Sequence, residues 1–415
     1  MERKSKRKRN KKPQFSWTVM VYMAADAGPS FYKAALKDIE EMAAATFDDK
    51  DVKVVVHADA PAPWLAKCWE VKRGGPKQME APCDHKSLLG FVENCVNNPV
   101  YKAKHYLLVL WGHGEGIDWK EKALTNRPTL PLSSGAGNKR FAKGSQSVME
   151  LAELGHALRE LDLGCKPKDV VVGFDSCLMS MVEVYCEISE RVGWAVAAND
   201  EIPNTGWPYQ KILNVLGENP GIKPKDLARA IAKECAEYYS KESPESKVSF
   251  SACDLSQSIN LKNSVARLTA TLTKCLKSNP RIVLEAIRTA RDFGEDLGEK
   301  AYVDLNAFCA KLGQFQAPKT HKTVPALLKN ASEGVVDALR KLLIKDSYVF
   351  SDGYPQKFVR ESRAVSICFP ESSVLEGNNE INWKLYDLLK FSKSEWPGFV
   401  QNLLKRVLWA KLQVE

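Results

Sequence analysis

The 415-residue chain, with 44% hydrophobic, 27% charged and 9% aromatic residues, has a globular composition that excludes wholesale disorder, a collagen-like repeat and a membrane bundle. Its formal net charge of +9 arises mostly in residues 1–12, where eight basic side chains face one acid, so the remaining body is close to neutral. Such a body lacks the overall basic face of a nucleic-acid enzyme.

The tail MERKSKRKRNKKP gives a flexible, solubilising arm over residues 1–15, with contact to nucleic acid or an anionic membrane as the alternative. A strand-like stretch follows it rather than an apolar signal core, and no run of about 18 apolar residues occurs, so the expectation is a cytoplasmic chain with no spanning helix. Eleven cysteines, scattered from Cys68 to Cys368 without a Cys-x-x-Cys pair, are expected as free thiols in a reducing compartment.

Continuous apolar runs predict strands at Trp17–Met23, Val52–His57, His105–Trp111, Asp169–Asp175 and Trp194–Asn199. Helical spacing predicts helices between them at Ser30–Ala45, Ser147–Leu161 and Leu178–Arg191. The pattern is that of an α/β protein with a mainly parallel sheet, whose site lies at the C-terminal strand ends. Residues 120–147 break into Pro, Gly, Ser, Asn and basic residues and read as a long exposed loop. Beyond residue 255 the segments Ser258–Ser278, Pro280–Leu297, Val324–Leu343 and Pro397–Leu412 are helical, while Ala364–Phe369 is a candidate strand returning to the sheet. The expected division is a sheet-built body over 16–255 and a mostly helical region over 256–415.

Two strand ends carry chemistry: Trp111-Gly112-His113-Gly114 and Phe174-Asp175-Ser176-Cys177. A cysteine that leaves a buried strand and opens a helix is expected to have a lowered thiol pKa, and His113 supplies proton transfer. Glycines around His113 permit close approach of backbone, and the Gly114 and Cys177 amides are candidate donors to an oxyanion. These are the parts of acyl transfer through a thioester. The bland alternative is a packed cysteine, the commonest fate of a free thiol. His57 also ends a strand and is a candidate for the same cleft, whereas His85, His105, His156 and His321 lack a glycine frame. Neither a Gly-x-Ser-x-Gly elbow nor a phosphate-binding glycine turn is present.

Together with WTVMVYMAAD at Trp17–Asp26, these motifs resemble the clostripain family of cysteine peptidases, relatives of caspases, gingipains and legumains. The likeness continues through FDSCLMSMVEV, the Pro203–Trp207 turn, YVDL at Tyr302–Leu305, AVSICFP at Ala364–Pro370 and the segment Tyr386–Trp396. The resemblance implies a caspase-like three-layer sandwich, with Cys177 as nucleophile and His113 as its partner, protonating the leaving amine or deprotonating the thiol. It also implies that Asp175 helps form a pocket for a basic side chain, with Trp207 as a wall. Where the family has an acid in a Pro-Gly-Asp-Gly-Trp turn, this chain has Thr205, and Asp200 or Glu201 are candidates to compensate. Self-cleavage is implied in the loop after His113, with Arg127, Lys139, Arg140 and Lys143 as candidate positions. Calcium, used by some relatives, stays unassigned here, since no Asp-x-Asp-x-Asp-Gly loop occurs and thiolate chemistry requires no metal. The expected function is cysteine endopeptidase, cutting protein or peptide after Arg or Lys. An inactive caspase-like binding scaffold and an amide hydrolase of non-protein substrates are the alternatives.

Overall fold

Alternation along one central strand sets the layering. In β5, Tyr106, Leu108 and Leu110 enter one buried cluster, and Leu107, Val109 and Trp111 enter a second on the opposite side. A strand apolar on both faces needs helices on both, which produces a helix–sheet–helix sandwich. The computed structural model describes residues 15–61, 64–72, 75–78, 88–114, 116–117, 150–160, 163–244, 246–294, 297, 301–318, 321, 323–351, 354, 356–371 and 383–412.

The strands are β1 (Phe15–Met23), β2 (Val52–Ala58), β3 (Lys67–Lys72), β4 (Gly75–Gln78), β5 (Ala103–Trp111), β6 (Val170–Asp175), β7 (Trp194–Ala198), β8 (Ser249–Asp254), β9 (Tyr302–Asp304), β10 (Leu343–Phe350) and β11 (Ser366–Cys368). Nine of them form one sheet in the order β10-β8-β7-β6-β5-β1-β2-β3-β4. Its centre, from β2 to β7, is parallel, and β3, β4, β8 and β10 add antiparallel edges.

Helices α1 (Pro29–Ala43), α5 (Tyr209–Glu218) and α6 (Pro224–Glu242) cover one face, through Ile39, Met42, Ile212, Leu216, Leu227 and Ile231. The other face carries α2 (Leu88–Asn97), α3 (Leu151–Glu160) and α4 (Val182–Ile188). The same cluster takes in α7 (Ser258–Ser278), α8 (Pro280–Phe293), α9 (Leu305–Gly313) and α10 (Thr323–Leu342), so one core runs continuously across residue 255. The short α11 (Gln356–Glu361) and α12 (Trp383–Asp387) precede α13 (Trp396–Leu412).

Three features depart from the expectations. The helix after Cys177 begins at Val182 rather than Leu178, because Leu178 takes a left-handed φ of 61° and Met181 makes a parallel bridge to Ser366. Residues 366–368 pair antiparallel with β9 in a separate two-stranded sheet, and the strand that returns to the main sheet from the C-terminal region is β10, paired with β8. The cysteines are not all free thiols: Cys68 is disulfide-bonded to a partner outside the described residues, whereas nine others are free.

Candidate active site

Strands β5 and β6 are hydrogen-bonded neighbours with Trp111 opposite Asp175, so the two reactive motifs leave the sheet side by side. Gly112 continues the pairing one step further, donating its N–H to the Asp175 carbonyl at 3.1 Å with a φ of 155° that disfavours other residues. The exposed His113 ring lies flat on Phe31, with centroids 4.4 Å apart and planes within 4°. Phe31 also packs against Trp111 at 4.5 Å. Gly114 is seated on the nucleophile's own backbone: a Cβ there would collide with the Cys177 carbonyl oxygen and lie 3.0 Å from the Cys177 nitrogen. Neither the Gly114 nor the Cys177 amide donates to any acceptor among the described residues.

The Cys177 thiol is partly buried and held by the 200–202 segment: Ile202 donates its N–H to Sγ at 3.3 Å, and Sγ approaches the Ile202 carbonyl at 3.8 Å. Burial pushes its pKa up to about 11, the Ile202 N–H opposes this, and Glu201, Asp175 and Asp200 add to the rise. The lowered pKa expected from a helix N-terminus is therefore absent in the resting site. The helix starts at Val182, five residues beyond Cys177, while the charges of Glu201, Asp175 and Asp200 disfavour the thiolate.

Asp175 is buried at the end of β6, and both of its hydrogen bonds fall on Oδ2, from the Trp207 N–H at 3.1 Å and the Tyr209 hydroxyl at 2.8 Å. Burial raises its pKa to about 7 against the pull of those two donors. Trp207 is 1% exposed, with its ring over Gly173 and edge-on to Phe250 at 6.2 Å, so its indole packs in the core while its backbone serves Asp175. Thr205 is exposed on the turn. Asp200 accepts from the Tyr354 hydroxyl at 2.7 Å and from the Glu201 amide, and the Glu201 side chain faces outward.

Asp38 of α1 was absent from the sequence-based candidates. It is 2% exposed and accepts the Trp111 indole N–H at 2.8 Å, beneath Gly206. The signal existed in the sequence, since Asp38 falls in the stripe Tyr32, Ala35, Asp38, Ile39, Met42 that α1 buries, where an acid is out of place. Phe31, Ile202 and Tyr209 were likewise missed, because stacking and backbone contacts leave no spacing signature. His57 is buried away from the cleft, bonded to Asp59 at 3.1 Å and stacked on Tyr22 at 4.9 Å.

The self-cleavage candidates Arg127, Lys139, Arg140 and Lys143 lie outside the described residues, as does the basic tail. Just before that stretch, Gly116 is packed on Met181 and Tyr302, and the Tyr302 hydroxyl donates to the Ile117 carbonyl at 2.6 Å. Among the described residues no group of three or more His, Cys, Asp or Glu is placed to hold a metal. No described helix is long and apolar enough to cross a membrane.

Solved structures with the same fold include an inactive zymogen C11 protease from Parabacteroides distasonis, 17% identical over 92% of this chain and 98% of that one, with a TM-score of 0.59. A secreted C11 cysteine protease from Bacteroides thetaiotaomicron, iotapain, is 15% identical over 92% and 99%, with a TM-score of 0.61. A structure described as a secreted C11 cysteine protease from Bacteroides thetaiotaomicron in complex with an irreversible peptide inhibitor is 19% identical over 92% and 99%, with a TM-score of 0.58. Among curated proteins no sequence match was found. The sequence model of the clostripain family matches residues 21–402, nearly the whole described body, and the chain belongs to the clostripain family of cysteine peptidases.

Proposed function

We propose that the protein is an endopeptidase in which Cys177 and His113 form the dyad and the preferred P1 residue, whose carbonyl is attacked, is Arg or Lys. The observation that carries this reading is the seating of Gly114 on the Cys177 backbone, which joins the His113 loop to the nucleophile loop at the ends of adjacent strands. Cys177 Sγ attacks the P1 carbonyl as its proton passes to His113, and the oxyanion so formed is held by the Gly114 and Cys177 amides. His113 donates a proton to the leaving amine as the C–N bond breaks. Water then cleaves the thioester, releasing the P1 carboxylate and restoring the thiol. Phe31 holds the imidazole plane throughout.

A buried carboxylate at the foot of the cleft, Asp175, supports selection of a cationic P1 side chain. Its unengaged Oδ1 is the group that meets the cation, since Oδ2 is committed to Trp207 and Tyr209. The resting thiol, tied to Ile202 and kept neutral, supports an enzyme that matures before full activity, and a relative of the same fold is described as an inactive zymogen. Self-processing between Arg127 and Lys143 is part of this reading.

The test is to incubate wild type and Cys177→Ala with fluorogenic peptides bearing Arg, Lys, Asp, Asn or Leu at P1 and to run both on denaturing gels. Turnover after Arg or Lys, with chain nicking in wild type alone, is expected. Turnover confined to another P1 residue would discard the basic pocket, and equal turnover by Cys177→Ala would discard the nucleophile.

A further inference from the structure

Thr205 stands where a second acid is expected, yet the interior beneath its turn already holds another carboxylate. Asp38 reaches it from α1, on the helix layer opposite the nucleophile-following α4. The contact is direct: a Cβ on Gly206 would lie 2.5 Å from Asp38 Oδ2 and 3.1 Å from Oδ1, and Gly206 has a φ of +70°. Glycine at 206 thus permits the approach twice over, through its conformation and through the missing side chain. Asp175 accepts the N–H of Trp207, the residue after Gly206, so two acids from different elements converge under one turn.

Their surroundings explain little of this arrangement as structure. Among the described residues Asp38 has one hydrogen-bond donor, the Trp111 indole, and the groups that act on its charge are Asp175, Glu41 and the exposed Lys37. Burial above all, and then Asp175, raise the Asp38 pKa to about 9. Two buried carboxylates without a cation between them disfavour the empty site. A guanidinium carries five donors in a rigid fork and answers both acids at once.

We propose that Asp38 is a second specificity-determining carboxylate of the P1 pocket, receiving the cationic end of a P1 Arg or Lys together with Asp175 in place of the acid missing at position 205. This rests on the basic-P1 reading above. Cation binding lets both acids ionise around one positive charge, so P1 recognition is coupled to release of the proton Asp38 holds in the empty pocket.

The experiment compares kcat/KM for matched peptides with Arg or its neutral isostere citrulline at P1, using wild type and Asp38→Asn. Asparagine keeps the shape and an acceptor for Trp111. The Arg-to-citrulline ratio is expected to fall about tenfold or more in Asp38→Asn, the scale of one charge-assisted hydrogen bond. A wild type indifferent to Arg against citrulline would remove the basic-P1 reading and this inference together. A wild type that prefers Arg, with the ratio kept within about twofold in the variant, would overturn this inference alone and leave Asp38 as a support for Trp111. An equal loss on both peptides would do the same. Should Asp38→Asn not fold, wild type is titrated with benzamidine at pH 8 in buffers of different ionisation enthalpy. Proton release close to one per site is expected, and binding without release overturns the proposal.

Discussion

The thiol of Cys177 is the residue whose behaviour differs most from the usual picture of an activated cysteine. With its pKa at about 11, roughly one part in ten thousand is thiolate at pH 7, so activation must accompany substrate binding. A cationic P1 group would offset the Asp175, Asp200 and Glu201 charges that help keep the thiol protonated. Alkylation of the resting enzyme by iodoacetamide is therefore expected to rise about tenfold per pH unit from pH 6 to 9 without a plateau. A plateau near pH 7 would mean that His113 already holds a thiolate. Gly114→Ala is expected to lower kcat at least a hundredfold while leaving the fold intact, since its Cβ must push the oxyanion donor off the Cys177 backbone. Circular dichroism and kcat on the same preparation check this. His113 and Cys177 were legible because glycine frames and strand ends survive in one dimension. The direction of the thiol shift was not, because it depends on burial and on acids contributed by the 200–201 segment.

Elements differ in how clearly the sequence announces them, and the reason is burial. The five strands predicted from apolar runs are β1, β2, β5, β6 and β7, the central parallel strands covered on both faces. The missed β3, β4, β8 and β10 are the antiparallel strands toward the sheet edges, where polar and apolar residues mix, as in SFSACD of β8 and in LIKDSYVF of β10 with burial interrupted at Lys345 and Asp346. The long helix α7 matched its expected bounds, since a wide apolar stripe over 21 residues leaves little ambiguity. Helix α4 was overextended because backbone pairing of Met181 with Ser366 competes with the first helical turn. That helix also carries Glu183, whose Oε1 accepts from the Cys368 N–H at 2.9 Å and the Tyr386 hydroxyl at 2.6 Å, while Oε2 has no partner among the described residues. Burial raises its pKa to about 7. The folded form then binds the proton more tightly than the unfolded chain, so its contribution is full below pH 4.5 and is lost as pH rises to about 7. The loss is on the order of 3 kcal/mol. Glu183→Gln is expected to be more stable than wild type to urea at pH 8 and to lose that advantage at pH 4.5. An equal effect at both pH values would deny the buried acid this role.

At the scale of the molecule, the C-terminal region is built into the sheet rather than appended to it. Strand β10 pairs along β8, and α7 to α10 complete the core that begins with β5 and β6. Cutting the chain after residue 255 would expose the β8 edge and a broad apolar face, both of which invite association between chains. A 1–255 fragment is expected to be insoluble alone and to be rescued by co-expression of 256–415. A soluble, cooperatively folding 1–255 fragment would show that the two parts are independent. The parallel centre and its active edge were readable from local pattern, but this closure was not, because pairing of residues near 250 with residues near 350 leaves no mark in either segment alone.

Burial of the cysteines has a practical side. Of the nine free thiols among the described residues, seven are buried, and among the described residues only Cys165 and Cys177 reach the surface in part. Among these, a mild oxidant or a labelling reagent meeting the native protein has two addresses, one of them the nucleophile. Ellman titration of folded against denatured enzyme would read out, from the thiols gained on denaturation, the fraction of protein that has begun to open.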